Sequence, residues 1–347
     1  MEQKARICVV GAGLVGKQHL NALTHTQDAM LVALVEPNSE GAKLAATYSV
    51  PHFTTLEAMF AATEVDGVIL ATPTPLHVEQ GLMCIEHNCA VLVEKPLAVT
   101  AKEAEKLVQA AQANGVPLLV GHHRRYNPII QKAASLISEG VIGDIRSLQA
   151  TCWLYKPDDY FDVAPWRTQK GAGPISVNLA HDVDLMRHLC GDIITVQAQA
   201  APSRRGHDNE DVAAAVLGFA DGAIGTLTVS DAIAAPWSWE LTAGENPAYP
   251  ATNQSCYHFG GSKGAMSLPD LTVWTHDAPQ SWWSPIRAAS FPCATSAPLV
   301  NQIEHFTAVI KGRASPLVSG EEGLKTMHVL EAIQTACDTG QTVHIPR

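Results

Sequence analysis

Lys95 is the first residue whose position in the sequence points to chemistry. It follows the apolar run Ala90-Val91-Leu92-Val93 and stands between Glu94 and Pro96. Because proline confines the residue before it to extended conformations, the Lys95 backbone is held in one direction. A lysine held in this way can hydrogen-bond a substrate hydroxyl and move its proton when desolvation or a nearby positive charge lowers its pKa. The alternative is a surface lysine at a strand end, but a charged pair that interrupts an apolar strand favours the chemical role.

His181 is the second candidate. At helical spacing Asn178, His181 and Asp184 share one stripe. A histidine can take a hydroxyl proton during an oxidation, and the Asn178 amide can position an oxygen. The residues support equally a satisfied polar histidine at the start of a helix. A metal site formed by His181, Asp184 and His188 is possible by spacing, but two turns of one helix rarely complete a coordination sphere, so we predict no metal.

A glycine motif near the N-terminus predicts the cofactor that these groups need. The apolar run Ile7-Cys8-Val9-Val10 leads into Gly-x-Gly-x-x-Gly, formed by Gly11, Gly13 and Gly16. In a dinucleotide site the first glycine allows a tight turn, the second lets the backbone approach the phosphates, and the third lets helix and strand pack closely. The start of the helix, including Leu14 and Val15, then faces the phosphate charge.

Glu36 predicts which dinucleotide binds. It ends a second apolar run, Leu31-Val32-Ala33-Leu34-Val35, twenty positions after Gly16. An acidic residue at this place takes the ribose 2′-hydroxyl, and it would repel a 2′-phosphate. No arginine follows Glu36, so we expect NAD rather than NADP.

The elements that position these residues alternate between strand and helix at the spacing of parallel β-α-β units, which predicts a doubly wound α/β sheet. In such a sheet, ligands bind at the carboxyl ends of the strands. We therefore expect five segments to meet along one edge: Gly11–Gly16, Glu36, Thr72–His77, Glu94–Pro96 and Gly121–Arg125. The predicted cofactor contacts are Gly11, Gly13, Leu14, Val15, Gly16, Glu36, Thr72, Pro73, His77, Glu94 and Lys95.

From about Ile145 the pattern changes to strand-like runs interrupted by one helix, Val177–Leu189, which ends before Gly191. The predicted strands are Ser147–Trp153, Thr195–Ala200, Val212–Phe219, Ala223–Ser230 and Trp237–Thr242. This predicts an α+β domain with a large, mostly antiparallel open sheet. We place the domains at residues 1–121 and 122–347, and residues 243–298 give no clear element. The predicted substrate contacts are His122, Arg125, Tyr126, Trp166, Arg167, Asn178 and His181, although structural roles suit the first five equally well.

The composition excludes several classes of protein. The chain has 347 residues, 46% of them hydrophobic and 16% charged, which is typical of a globular protein with room for two domains. The net charge of −11 argues against a nucleic-acid surface. No apolar run approaches the ~18 residues of a membrane span, and no signal peptide is visible, so we expect a cytoplasmic protein. The eight cysteines contain no Cys-x-x-Cys pair, which predicts reduced and mostly buried thiols.

Together these motifs resemble the glucose–fructose oxidoreductase, inositol dehydrogenase and rhizopine-catabolism (Gfo/Idh/MocA) family. The resemblance covers nearly the whole chain, and its most specific element is Glu94-Lys95-Pro96 at this distance behind the glycine motif. The other matching segments are Ala71–Pro73 with His77, Arg125–Pro128, Gly171–Gly191, Gly260–Gly264 and Ser319–Gly323. One position departs from the pattern: many sugar and inositol dehydrogenases of the family have an aspartate four residues before the histidine, where this chain has Val177.

The resemblance implies an NAD(P)-dependent dehydrogenase with an N-terminal Rossmann domain, Lys95 and His181 as its catalytic pair, and a C-terminal domain whose open sheet forms a homodimer or homotetramer. We therefore expect hydride transfer between nicotinamide and a secondary alcohol or ketone on a sugar, inositol or related polyol. Three alternatives stay open: a dihydrodiol or carboxylated-substrate dehydrogenase with Arg125 or Arg167 as carboxylate clamp, a glycosidase with NAD as internal redox relay, and a non-catalytic dinucleotide-binding regulator.

Overall fold

The structure is a computed structural model that describes residues 3–277 and 279–345. The chain groups into two compact units. The first contains residues up to Asn127 together with Ser296–Met327, and the second contains Pro128–Thr295 together with residues from His328 onward. The domain division at residue 121 stays a prediction. The return of Ser296–Met327 to the first unit was not foreseen from the sequence.

The strands of the described residues are β1 (Ala5–Val10), β2 (Ala29–Val35), β3 (His52–Phe53), β4 (Gly67–Leu70), β5 (Ala90–Val93), β6 (Leu118–Val120), β7 (Ile145–Trp153), β8 (Ile193–Pro202), β9 (Glu210–Phe219), β10 (Ile224–Ser230), β11 (Tyr257–Gly261), β12 (Gly264–Leu268), β13 (Thr272–His276), β14 (Ile286–Ser290) and β15 (Val343–His344). The α-helices are α1 (Leu14–Leu23), α2 (Glu40–Thr47), α3 (Leu56–Ala62), α4 (His77–Glu86), α5 (Ala101–Asn114), α6 (Pro128–Ser138), α7 (Asp158–Asp162), α8 (Pro174–Val177), α9 (Leu179–Cys190), α10 (Trp239–Thr242), α11 (Pro298–Ile310) and α12 (Gly320–Thr339). Short 3₁₀ helices lie at Thr74–Leu76, His123–Tyr126 and Pro165–Thr168.

The sheet of the first unit runs in the order β3-β2-β1-β4-β5-β6, and every described pairing in it is parallel. The order reverses at β1, as in a doubly wound dinucleotide-binding sheet, and this confirms the predicted fold class. β4 and β5 are buried along their whole length, which explains their continuous apolar sequence. The Thr100 side chain accepts a hydrogen bond from the backbone of Glu103 and so caps the start of α5.

Helix α11 belongs to the first unit because its apolar face completes that core. Phe306 and Ile303 are fully buried in one cluster with Ile7 of β1. A Cβ atom at Gly67 of β4 would lie 2.6 Å from Ile310 and 2.9 Å from Phe306, so the strand needs glycine at this contact.

The second unit is built on a sheet in the order β14-β13-β12-β11-β7-β10-β9-β8-β15. Its described pairings are antiparallel except for the parallel pair β7 and β10, which confirms the predicted mostly antiparallel sheet. Buried and more exposed residues alternate along β9, so one face is packed and the other is open. Helix α9 packs on the buried face with Val183 and Met186.

Two local predictions for this unit were wrong. Trp237–Thr242 is not a strand, because Ser238 caps the short helix α10 and Trp239 is buried against the Tyr257 ring at 5.8 Å. The predicted helix Val177–Leu189 is two helices, α8 and α9, which meet at Asn178. Residues 243–298, which gave no clear element, contain β11–β14. Each of these strands has only five residues, and β11 and β12 also contain glycine, so pairing across the sheet defines them better than their local sequence pattern.

The described helices include none that is both long enough and apolar enough to cross a membrane. The eight cysteines are free thiols, and six of them are buried.

Candidate active site

A cleft of about 1070 Å³ opens in the first unit at the carboxyl ends of β1, β2 and β4. Seven of the predicted cofactor contacts line it: Gly11, Gly13, Leu14, Val15, Glu36, Thr72 and Pro73. Two sequence-distant loops therefore meet the glycine turn along one edge of the sheet, as the position of ligands in such sheets requires.

The three glycines of the turn meet different surroundings. Gly11 has φ +92°, and a Cβ atom there would lie 2.6 Å from the Ala71 carbonyl oxygen. A Cβ atom on Gly16 would lie 2.0 Å from the Gly11 carbonyl oxygen, so Gly16 closes the helix onto the turn. A Cβ atom on Gly13 would meet nothing within 4 Å. Gly13 thus leaves open space at the start of α1, where unbonded helix N–H groups suit a pyrophosphate.

Glu36 is buried at the end of β2 and its carboxylate is fixed by backbone donors. One oxygen accepts a hydrogen bond from the Ala12 N–H at 2.7 Å. The other accepts from the Asn38 N–H at 3.1 Å and from the Asn38 side chain at 2.8 Å. A carboxylate offers about four lone-pair positions, so one remains for a ribose hydroxyl. The residues present therefore fit a dinucleotide with its pyrophosphate at Gly13 and its ribose at Glu36.

His77 lies outside the set of cleft-lining residues and is almost fully buried. Its Nδ1 lies 2.9 Å from the Pro96 carbonyl oxygen and its Nε2 lies 2.8 Å from the Thr72 carbonyl oxygen. Because both ring nitrogens face protein carbonyls, His77 fixes the backbone of two site loops. Its direct contact with the cofactor stays a prediction.

The Glu94 carboxylate is likewise engaged in contacts within the protein. One oxygen of its carboxylate lies 2.7 Å from Nε2 of His19, which is fully buried on α1, and the other accepts the Lys95 N–H at 3.2 Å. Burial works to raise the pKa of Glu94, but the His19 hydrogen bond and the charges of His19, His123 and Lys95 outweigh it and hold the pKa below its usual value. Glu94 therefore fixes the backbone N–H of Lys95, whose side chain is partly buried.

His19 was missed by the sequence reading. It lies on the buried stripe of α1 with Gly16, Leu20 and Leu23, and a polar residue on an apolar stripe was the available signal.

The residues after β6 are held within the first unit. His122, Arg125 and Tyr126 are buried. The Arg125 guanidinium donates to the Glu322 carboxylate at 3.0 Å and to the Leu317 carbonyl oxygen at 3.4 Å. The Tyr126 ring packs on His305 at 5.3 Å. Arg125 is thus engaged by a protein carboxylate, which argues against its use as a substrate clamp.

In the second unit, His181 lies buried in the first turn of α9 and Asn178 lies at the junction before it. Lys156, which follows β7, donates to the Asn178 Oδ1 at 2.8 Å and lies 3.5 Å from the Asp231 carboxylate. Burial lowers the pKa of Lys156, and Asp231 opposes that shift only in part.

The sequence reading missed Lys156 as well. The signal was present, because Lys156 precedes Pro157 shortly after a strand, as Lys95 precedes Pro96.

Trp166 and Arg167 lie on a 3₁₀ helix beside this cluster. The Arg167 guanidinium lies 4.1 Å from the centre of the Tyr160 ring and donates to the Tyr160 carbonyl oxygen at 2.6 Å. Lys156 Nζ lies 4.9 Å from the same ring centre, so the two cations flank Tyr160. Trp166 is exposed. Within residues 3–277 and 279–345, no group of three His, Cys, Asp or Glu side chains is arranged to hold a metal ion.

Comparison with known proteins identifies the family. Residues 5–122 match the family described as "Oxidoreductase family, NAD-binding Rossmann fold" (GFO_IDH_MocA), and residues 130–267 match "GFO/IDH/MocA C-terminal domain". The chain belongs to the Gfo/Idh/MocA family. It is therefore an NAD-binding oxidoreductase, and the resemblance carried by the sequence motifs is confirmed.

Gfo/Idh/MocA relatives of known activity are similar to this chain at low identity. D-apiose dehydrogenase of Paraburkholderia graminis is 26% identical over 97% of this chain and 88% of its own length. 4-Carboxy-2-hydroxymuconate-6-semialdehyde dehydrogenase of a Sphingobium species is 31% identical over 57% of this chain and 62% of its own length. The crystal structure of the WlbA dehydrogenase from Bordetella pertussis with NADH and UDP-GlcNAcA is 25% identical, with a TM-score of 0.79 over 99% of this chain and all of that chain.

Proposed function

We propose that this Gfo/Idh/MocA enzyme interconverts a secondary alcohol and a ketone on a sugar, inositol or related polyol. The observation that carries the proposal is the place of Lys95, which follows β5 at the carboxyl edge of the dinucleotide-binding sheet and whose backbone N–H donates to the Glu94 carboxylate. An ammonium group at this edge is suited to bind the oxygen of the reacting carbon. The similarity to D-apiose dehydrogenase supports a sugar-like substrate.

The bound NAD supplies the acceptor or donor of hydride. When an alcohol is oxidised, its C–H bond breaks with loss of hydride, and its O–H proton must pass to a base. The family resemblance assigns the substrate oxygen to Lys95 and its proton to His181. In the opposite assignment the two roles are exchanged, and separate pH profiles of variants at the two positions distinguish the assignments. Glu36 favours NAD over NADP because its charge opposes a 2′-phosphate.

A substrate panel tests the proposal. The purified protein is incubated with NAD and with neutral sugars, inositols, cyclic diols and sugar acids, and NADH formation is followed by absorbance. We expect NADH formation with at least one polyhydroxylated compound and the reverse reaction with its ketone. Loss of a glycoside without net NADH release would indicate the redox-relay glycosidase instead. Binding of NADH with no turnover in either direction would contradict the dehydrogenase and favour a regulator.

We also propose that the open face of the nine-stranded sheet joins two copies of the chain. Val216 of β9, Ile224 of β10 and Trp274 of β13 are exposed large apolar residues on strands of that sheet. Light scattering should give the mass of a dimer or tetramer, and a monomer at micromolar concentration would contradict this part of the proposal.

A further inference from the structure

Lys156 fixes the orientation of the Asn178 side-chain amide. A lysine ammonium only donates hydrogen bonds, so the atom of Asn178 that it contacts at 2.8 Å must be the carbonyl oxygen. The amide nitrogen of Asn178 then points elsewhere, and none of the hydrogen bonds in the described residues uses it. Asn178 is only partly buried, so a ligand can reach it. Asn178 therefore presents two N–H donors rather than an acceptor.

Arg167 adds a second group of donors to this cluster, since its guanidinium and the Lys156 ammonium both lie over the Tyr160 ring. The Tyr160 carbonyl oxygen and ring hold its guanidinium in place. Its Nε is buried and has no hydrogen-bond partner among the described residues. A buried guanidinium N–H without a partner is costly, so the protein leaves part of the hydrogen-bonding capacity of Arg167 unused.

The carboxylates near these donors are already engaged. Asp231 is 2% exposed and accepts from Arg205 at 2.9 Å in addition to its contact with Lys156. The Glu210 carboxylate accepts the Ile175 N–H at 3.0 Å, and burial raises its pKa. Val177 offers no polar side chain. A neutral polyol needs acceptors for its hydroxyl protons as well as donors, whereas a carboxylate needs only donors.

We propose that Asn178 Nδ2 and Arg167 bind a carboxylate of the substrate, and that Lys156 is the positioning residue that fixes the Asn178 amide. The inference rests on the proposed function and narrows its substrate class to sugar acids and related polyhydroxy acids. The negative charge of such a ligand pairs with the guanidinium, and each oxygen of the ligand meets an N–H group. A neutral sugar leaves some of these N–H donors without an acceptor, and this cost makes the site favour an acid over the neutral sugar.

Matched pairs of ligands test the proposal. D-Glucuronate with D-glucose and D-galacturonate with D-galactose differ only in the charged group. Dissociation constants are measured by calorimetry with NADH present, and kcat/KM is measured with NAD. We expect the acid of at least one pair to be favoured about 10-fold or more, as a charge-assisted hydrogen bond gives.

Two variants test the assigned roles. Asn178→Asp replaces the donors by a carboxylate and should weaken acid binding about 10- to 100-fold, a larger loss than for the matched neutral sugar. Lys156→Met frees the amide to rotate, so it should reduce the preference for the acid, and Lys156→Arg should restore that preference. Lys170→Met is the matched control, because Lys170 is exposed on the following loop and pairs with Asp338 at 3.4 Å.

The outcomes separate this inference from the proposed function. Turnover of neutral sugars with no preference for acids would overturn the carboxylate site and leave the dehydrogenase standing. Acid binding that Asn178→Asp weakens, without turnover of any compound, would support the site and contradict the dehydrogenase. Failure of every acid to bind the NADH complex, or acid binding unchanged in Asn178→Asp, would overturn the inference.

Discussion

We propose that Glu36 determines which dinucleotide the cleft accepts. Its carboxylate is already fixed by the Ala12 and Asn38 N–H groups, so it is preorganised to receive a ribose hydroxyl. We predict that Glu36→Ser raises the KM for NAD about 10- to 100-fold, because a hydrogen bond to a charged group contributes about 1.5–3 kcal/mol. The same change should improve the use of NADP by removing a repulsive charge.

Steady-state kinetics with both cofactors check this prediction. Glu86→Ser, an exposed change at the end of α4, is the control and should leave both KM values unchanged. An unaltered ratio of NAD to NADP use in Glu36→Ser would show that selectivity lies elsewhere.

For single residues, the sequence predicted which side chains follow the ends of the strands. It did not predict which of those side chains pair with other side chains of the protein. Gly13 and Glu36 line the cleft as predicted. Arg125 bonds to Glu322, and Glu94 bonds to His19. These partners are distant in the chain, so no local pattern reports them; they follow only from tertiary packing.

The turn between β1 and α1 shows how one element uses glycines for different purposes. Gly16 serves packing, because its Cβ would lie 2.0 Å from the Gly11 carbonyl oxygen, whereas Gly13 borders open space. We predict that Gly16→Ala lowers the free energy of unfolding by about 1–3 kcal/mol, the usual cost of overpacking. Gly13→Ala should leave stability unchanged but weaken NADH binding, because its methyl group would occupy the space of the pyrophosphate.

Thermal unfolding and NADH titration of the two variants separate these effects. We expect Gly16→Ala to lose stability, and Gly13→Ala to lose affinity for NADH without a loss of stability. Equal NADH affinity in Gly13→Ala and the unchanged chain would place the pyrophosphate away from α1.

Elements with a strong local pattern were predicted, and those defined by pairing were not. α5 has the capping residue Thr100 at its start and a regular apolar stripe, which includes Ala104, Leu107 and Ala111. β11–β14 were not predicted, since strands of only five residues form mainly through pairing with their neighbours across the sheet.

For the molecule as a whole, the fold class could be read from the alternation of strands and helices, because parallel β-α-β units have few possible arrangements. The return of Ser296–Met327 to the first unit could not be predicted, because an apolar helix face does not indicate which of two cores it packs against.

The buried pair of His19 and Glu94 gives a pH dependence of overall stability. The folded state holds the pKa of Glu94 below its ordinary value of 4.5. The stabilisation is therefore complete above pH 4.5 and is lost as the pH falls through the lower folded-state pKa. We predict that Glu94→Gln costs about 1–2 kcal/mol of unfolding free energy at pH 7 and progressively less at lower pH.

Denaturant unfolding followed by circular dichroism at several pH values between 7 and 3 checks this, with Glu86→Gln as the exposed control. A deficit in Glu94→Gln that stays constant over the whole range would contradict the assigned direction of the shift.

The central claim is that Lys95 acts on the substrate oxygen, and one measurement tests it most directly: kcat/KM and the NADH dissociation constant of Lys95→Met on the same preparation. We predict that turnover falls about 10²- to 10⁴-fold, the usual contribution of a proton-transferring group, while NADH binds within about 3-fold of the unchanged enzyme. Lys102→Met, an exposed change at the start of α5, should alter neither value. Near-normal turnover in Lys95→Met would contradict the account.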